Sequence, residues 1–472
     1  MKTIRTIAVA LSAGALLPAP AQLLPREVDS AAAGREAIAL TIYNDDLALI
    51  KDKRRVELPG GLARLSLREV SAQLRPETAL LRASGGDALR LIEQNFDFDL
   101  LTPQKLLDKH VGREVSVLRT LPTTGEERRE RATVLAAGPD GTVLRFADRI
   151  ETGVPGRIAF DQMPANLRER PTLSVLLESS AGPQAIELSY LSGGLSWKAD
   201  YVASLSADGK ALDLSGWVTL DNRSGASYEN ASLQLVAGAL NRVQAKSVHQ
   251  DRMAPVAAML ARAEPVEEAL FDYHLYRFER PTTIADQQVK QLALLTASAV
   301  PVRREYLLSG AEHPYLERQG PISQKLKPAV FLEFDNAGGQ LGKPLPAGVV
   351  RVYARDRQGA EQFVGEDRIG HSARNETVRL RLGEAFDILA ERKQTSWRKL
   401  GDSASESAYR IELRNGKDEP VTVRVLETLP GDWEIVQESQ RSRKESARAV
   451  SWSVDVPAGG SAVLDYLVRV RW

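Results

Sequence analysis

Apolar and polar residues take turns along most of this chain, and that alternation is the tightest limit on what it can fold into. A period of two places every second side chain on one face of an extended strand, whereas a helix needs apolar residues three and four apart. From residue 173 the pattern runs in short segments, 173–177, 185–190, 197–205, 212–221 and 232–236, with Gly193-Gly194, Asp208-Gly209 and Ser224-Gly225 between them. Strands spaced by roughly ten residues, separated by turn residues, predict a β-sandwich. A second series follows at 329–334, 349–354, 362–366, 376–382, 408–413, 421–429, 449–456 and 462–472. Its turns fall at Asp356-Arg357-Gln358-Gly359, Asn415-Gly416 and Ala458-Gly459-Gly460, and it predicts a second sandwich.

The part before residue 173 is built from shorter pieces. Segments 39–43, 56–58, 63–67 and 89–98 read as strands of an N-terminal β domain. Thr102 and Pro103 supply an N-cap and a proline at the first helical position, so a short helix is predicted there, ending at Gly112. Segments 114–118, 132–136, 142–146 and 156–160, with the Pro139-Asp140-Gly141 turn, predict a small SH3-like barrel inserted at about 102–165. Residues 245–270, rich in Ala, Glu and Arg and holding Pro255 and Pro265, break the alternation and read as a crossover or short helix. The predicted fold class is mainly β, with immunoglobulin-like sandwich domains, the small barrel insertion and few short helices. The predicted division is 1–21, 22–172, 173–310 and 325–472.

Residues 1–21 read as a secretory signal peptide. Lys2 and Arg5 form a basic start, an apolar run covers 7–17, and Ala19-Pro20-Ala21 is a small-residue cleavage site. The run is shorter than the ~20 residues a spanning helix needs. Cysteine is absent, which excludes disulfides, thiolate chemistry, cysteine-bound zinc and a lipid-bearing cysteine behind the leader. The formal charge is +0, so no global basic field draws the chain to nucleic acid. These features predict a periplasmic or secreted protein of a bacterial envelope, without a nucleic-acid partner and without a transmembrane helix once the leader is removed.

Motifs of known chemistry are few. Leu121-Pro122-Thr123-Thr124-Gly125 matches a sortase sorting signal, but about 350 residues follow it and charged residues come next, so a hairpin loop is expected. His110, His249, His274, His313 and His371 show no metal-ligand spacing, including His274 in Asp272-Tyr273-His274. Ser192-Gly193-Gly194-Leu195-Ser196 lacks the spacing of a nucleophile elbow. Gly338-Gly339-Gln340-Leu341-Gly342-Lys343 lacks the order of a phosphate-binding loop. Asp97 and Asp99, two apart, would share a strand face, and with Glu93 they fit a cation site, an acid pair or, more simply, solvated edge carboxylates. Trp197, Tyr201 and Trp217 fit either a sandwich core or a sugar-stacking platform. Leu464, Tyr466, Val468, Val470 and Trp472 fit a last sandwich strand better than a membrane barrel strand. Asn222, Asn230 and Asn375 open formal glycosylation sequons. No catalytic, cofactor-binding or metal-ligating residue is assigned.

Three segments carry a family resemblance: 190–201 (Tyr190-Leu191-Ser192-Gly193-Gly194-Leu195-Ser196-Trp197-Lys198-Ala199-Asp200-Tyr201), 216–225 with 228–231, and 278–286. Through them the chain from Tyr190 to Trp472 resembles a bacterial family built around a domain of unknown function, related to mucoidy inhibitor A-like proteins. The resemblance implies a β-rich architecture and brings no catalytic residues with it. The coiled-coil insert of some relatives is missing, so coiled-coil assembly is not implied. The expected function is a non-enzymatic envelope protein that binds a partner protein or glycan or serves a structural role. The alternative is a hydrolase of envelope polymers, using carboxylates or a metal gathered from distant loops.

Overall fold

The structure is a computed structural model that describes residues 25–84, 89–97, 99–120, 124–138, 141–153, 156–164, 167–238, 266–270, 273–310, 315–319, 324–356 and 358–472. The leader expected at 1–21 lies outside them, as does most of the 245–270 stretch. The end of that stretch, Val266–Leu270, is not helix: it is a strand that pairs with Tyr273–Arg277. Strand dominates, and Pro103–Lys109 is the one α-helix among the described residues.

The chain forms two compact units from interleaved segments, one of residues up to 36, 53–72 and 80–188, the other of 37–52, 73–79 and 189–472. Pairing explains part of the interleaving: residues 39–43 join the second unit by pairing in parallel with 232–236.

In the first unit, one sheet runs Arg26–Ser30, Gly61–Arg68, Thr172–Ser179, Arg90–Asp97. Leu65, Leu67, Leu173, Val175 and Leu177 are among its buried positions. A second sheet runs Ile150–Thr152, Gly141–Arg145, Glu127–Gly138, Glu114–Thr120, Arg157–Ala159, over a core of Val115, Val117, Ala132, Val134, Leu144 and Phe146. Its outermost strands, Ile150–Thr152 and Arg157–Ala159, do not pair with each other, and the sheet stays open where a closed SH3-like barrel was expected. The short helix starts as predicted, Thr102 Oγ1 accepting from the Lys105 N–H at 3.1 Å. It ends earlier, at Lys109, and Gly112 takes the left-handed conformation beyond it.

In the second unit, a five-stranded sheet runs Gln288–Pro301, Ala211–Asn222, Leu195–Leu205, Gly348–Arg355, Glu361–Ile369. The centre of this sheet is a parallel pairing of Leu195–Leu205 with Gly348–Arg355, strands taken from the two predicted series. The C-terminal sandwich has two sheets. One runs Thr377–Glu384, Ala329–Asp335, Arg303–Ser309, Val421–Thr428, Ala449–Val456, Arg443–Ser446, and the other Gln324–Leu326, Ile388–Gly401, Ala404–Asn415, Ser461–Arg471, Asp432–Glu438. Both supply one core, in which Ile411, Leu413, Val423, Val425, Trp452 and Tyr466 are buried. Leu464, Tyr466, Val468 and Val470 point into that core, as the last strand of a sandwich should. No helix among the described residues is long and apolar enough to cross a membrane.

A charged pair sits inside this sandwich. Arg392 Nη2 lies 3.1 Å from Glu427 Oε2, and both side chains are buried. The Tyr315 hydroxyl donates to Glu427 at 2.8 Å and meets the Tyr466 hydroxyl at 2.9 Å, while the guanidinium stacks 4.6 Å from the Tyr409 ring centroid. Burial pushes the Glu427 carboxyl above its ordinary range, with Arg392 and the tyrosine hydroxyls pulling it back. Gly310 leaves the room, since a Cβ there would overlap the carboxylate. Glu427→Ala, which strands the Arg392 charge, should cost about 3–5 kcal/mol in urea denaturation, whereas replacing both partners by Met and Leu should be close to neutral. Equal losses in the two variants would contradict this account.

Candidate functional site

Alternation along Leu195–Leu205 sorts its residues cleanly. Leu195, Trp197, Ala199, Tyr201 and Ala203 are buried on one face. Gly216 lies opposite Tyr201, and a Cβ there would meet the tyrosine ring at 3.1 Å and the Leu295 side chain at 3.0 Å, so glycine makes room for the ring. The Tyr201 hydroxyl donates to the Pro346 carbonyl at 2.8 Å, and burial pushes its pKa well up.

The outward face of the same sheet holds a hydrogen-bonded row that crosses all five strands. Gln291 Nε2 donates to Thr219 Oγ1 at 3.3 Å, and the Thr219 hydroxyl donates to Asp200 Oδ2 at 3.0 Å. Arg351 Nη1 donates to Asp200 Oδ1 at 3.2 Å, and Arg351 Nε lies 3.2 Å from Glu366 Oε2. Trp217 is the direct cross-strand neighbour of Asp200 and is partly exposed. Farther along, Tyr353 pairs with Phe363, their ring centroids 5.7 Å apart, and Phe363 is 55% exposed. The two carboxylates share one guanidinium, which leaves one net negative charge on the row and holds each side chain in one orientation. Such a row can present fixed donors and acceptors to a ligand. Both of its carboxylates are paired with Arg351.

The segments that carried the family resemblance meet in a clasp. Asn222 Nδ2 donates to the Ala226 and Ala285 carbonyls, both at 2.9 Å, and its Oδ1 accepts from the Ser224 N–H and hydroxyl. Asp286 Oδ1 accepts from the Gly225 N–H at 3.0 Å, and Gly194 O accepts from the Arg223 N–H at 2.6 Å. Asn415 repeats the device in the C-terminal sandwich, donating to Glu419 O at 2.8 Å and Pro457 O at 3.1 Å while accepting from the Lys417 N–H. These motifs hold strand ends. Asn222, the first sequon residue, is fully buried, whereas Asn230 and Asn375 are exposed.

The other sequence candidates scatter. Asp97 and Asp99 do not share a strand face, because the strand ends at Asp97. Asp97 accepts from Ser174 Oγ at 2.9 Å and from Arg168 Nε at 3.3 Å. Asp99 is held by Lys109 at 2.9 Å and Lys105 at 3.2 Å, which draw its carboxyl below the usual range, and Glu93 accepts from Asn95. Trp197 and Tyr201 are core, so of the proposed stacking platform Trp217 alone faces outward. His110 is buried, its Nδ1 2.7 Å from the Leu106 carbonyl. His371 Nδ1 accepts from the Ala347 N–H at 3.2 Å, and burial and the nearby His274 lower its pKa. His249, His313 and Leu121-Pro122-Thr123 lie outside the described residues. Gly338-Gly339 form an exposed turn lining a cavity of about 670 Å³ with residues 297–301, Arg303 and Asp335. No group of three or more His, Asp or Glu suited to a metal ion occurs among the described residues.

The sequence reading missed Gln291, Thr219, Arg351 and Glu366. Polar residues at alternate strand positions are the signal, but it is shared by every solvated strand face.

Residues 186–472 match a family described as a domain of unknown function (DUF4139). No curated protein matches the chain.

Asp200 is nearly buried, so its bond to Arg351 should show in a double-mutant cycle. Asp200→Ala, Arg351→Ala and the double variant should give a coupling energy of about 0.5–3 kcal/mol in chemical denaturation. Strict additivity would mean that the row is a surface accident.

Proposed function

The chain belongs to the DUF4139 domain family, and from that premise we propose that it is an exported bacterial envelope protein with no catalysis of its own, binding a partner through the outward face of its five-stranded sheet. The observation that carries this reading is the locked polar row flanked by Trp217, Tyr353 and Phe363. Recognition sites pair aromatic surface with a few fixed polar groups, and side chains ordered beforehand lose little entropy on binding.

The state of the carboxylates supports the same reading. Hydrogen bonds from Arg119 and Arg149 hold Glu151 below its ordinary pKa, those from Arg469 and Arg398 do so for Glu406, and that from Arg303 for Asp335. A general acid needs the opposite shift. Glu427 is shifted upward, but it is sealed in the sandwich core. These features weigh against the hydrolase alternative. Export rests on the basic, apolar and small-residue order of 1–21, and the destination is the periplasm or the medium. Kinship with mucoidy inhibitor A-like proteins, and with it a role in exopolysaccharide control, belongs to the same proposal.

Fractionation of cells making the tagged full chain should recover protein that begins after Ala21 from the periplasm or medium. Uncleaved protein in the cytoplasm, or recovery only from outer membrane, would overturn the export reading. A photo-crosslinking residue at Phe363 should give an adduct in cells, and one at Arg410, on the charged outer face of the C-terminal sandwich, should not. Equal labelling at both would remove the case for this face.

A further inference from the structure

We infer that the occupant of this face is an uncharged oligosaccharide several rings long; this rests on the face being the binding surface. Charge comes first. Arg351 is spent on Asp200 and Glu366, and on the same face Lys198, Arg351 and Arg368 are at least matched by Asp200, Asp221 and Glu366. A polyanion finds no surplus of cations, and a polycation finds Asp200 and Glu366 already paired with Arg351.

A protein partner fits less well for a physical reason. Its interface would bury about 800 Å² of this side, and the charged row bisects the sheet. Asp200 is already nearly buried, but sealing Arg351 and Glu366 away from water costs more than their mutual attraction returns unless every remaining site is paired. Sugar hydroxyls each donate and accept, and they can replace water along such a row group by group. Ser196, Ser204 and Ser215 add hydroxyls on the same face.

The aromatic positions set the length. Trp217 and Tyr353 lie two strands apart and four residues out of level, since Trp217 is level with Asp200 and Val349. That offset is about 16 Å at ~4.8 Å between strands and ~3.3 Å per residue. One sugar ring cannot touch both; a chain of several can lie across the row with a ring stacked at each end. The C-terminal sandwich provides an internal contrast. Its outer face is laced by Arg410–Asp465, Arg414–Glu412 and Arg469–Glu434, an ordinary solvated surface.

The test is calorimetric titration of the processed protein with neutral hexasaccharides, of β-1,4-linked glucose, α-1,4-linked glucose and N-acetylglucosamine, and with an oligogalacturonate of equal length. At least one neutral chain should bind with little dependence on salt. Its affinity should fall tenfold or more in Trp217→Ala and Arg351→Ala, and also in Phe363→Ala, whose exposed ring can be removed without loss of fold, while Arg410→Ala changes nothing. Preference for the oligogalacturonate, with binding lost as salt rises, would overturn the inference. So would silence from all the neutral chains. If the Phe363 adduct in cells is then a protein, the face remains a binding surface and only the glycan is wrong; if no adduct forms either, both fall.

Discussion

Everything on the five-stranded sheet depends on its register. Leu195–Leu205 and Ala211–Asn222 pair so that Trp197 stands opposite Leu220 and Asp200 opposite Trp217. A slip of one residue would turn Trp197 and Tyr201 to water and Asp200 to the core. The pairing is pinned at the end where Asn222 ties the following loop to residues 284 and 285, and near its middle by the fit of Tyr201 over Gly216. With that register set, the outward face is determined: Thr219 must reach Asp200, and Asp200 must meet whatever the next strand brings.

The C-terminal sandwich solves a different problem. Its core is apolar almost throughout, yet it encloses Arg392 and Glu427 with three tyrosines. Buried ion pairs of this kind contribute little net stability, and their value lies in orientation. Tyr315, Tyr409 and Tyr466 come from separate parts of the chain, and each must find its place around one guanidinium. Apolar side chains alone would tolerate several arrangements.

Much of this architecture was legible in the sequence. Alternation located strands such as Leu195–Leu205 and Ser461–Arg471, and Thr102-Pro103 located the helix start. It also predicted that Trp197 and Tyr201 fit a core as well as a platform. The site was less legible, because it depends on partners far away in sequence. Nothing near Asp200 names Arg351, 151 residues on, as its counter-ion. The reading of Asp97 and Asp99 as one face failed for a local reason: two lysines of the adjacent helix capture Asp99 once the strand has stopped. The small barrel stayed open because its outermost strands do not pair with each other, and alternation along a strand does not name its partner.

The parallel pairing at the centre of the five-stranded sheet also governs the order of assembly. Leu195–Leu205 is made long before Gly348–Arg355, and until the later strand arrives one edge of the earlier one has no partner. Pairings of such sequence separation are slow, because loop closure precedes any gain from contact. The polar row therefore waits for Gly348–Arg355 and Glu361–Ile369, and its presence reports that the five-stranded sheet is complete.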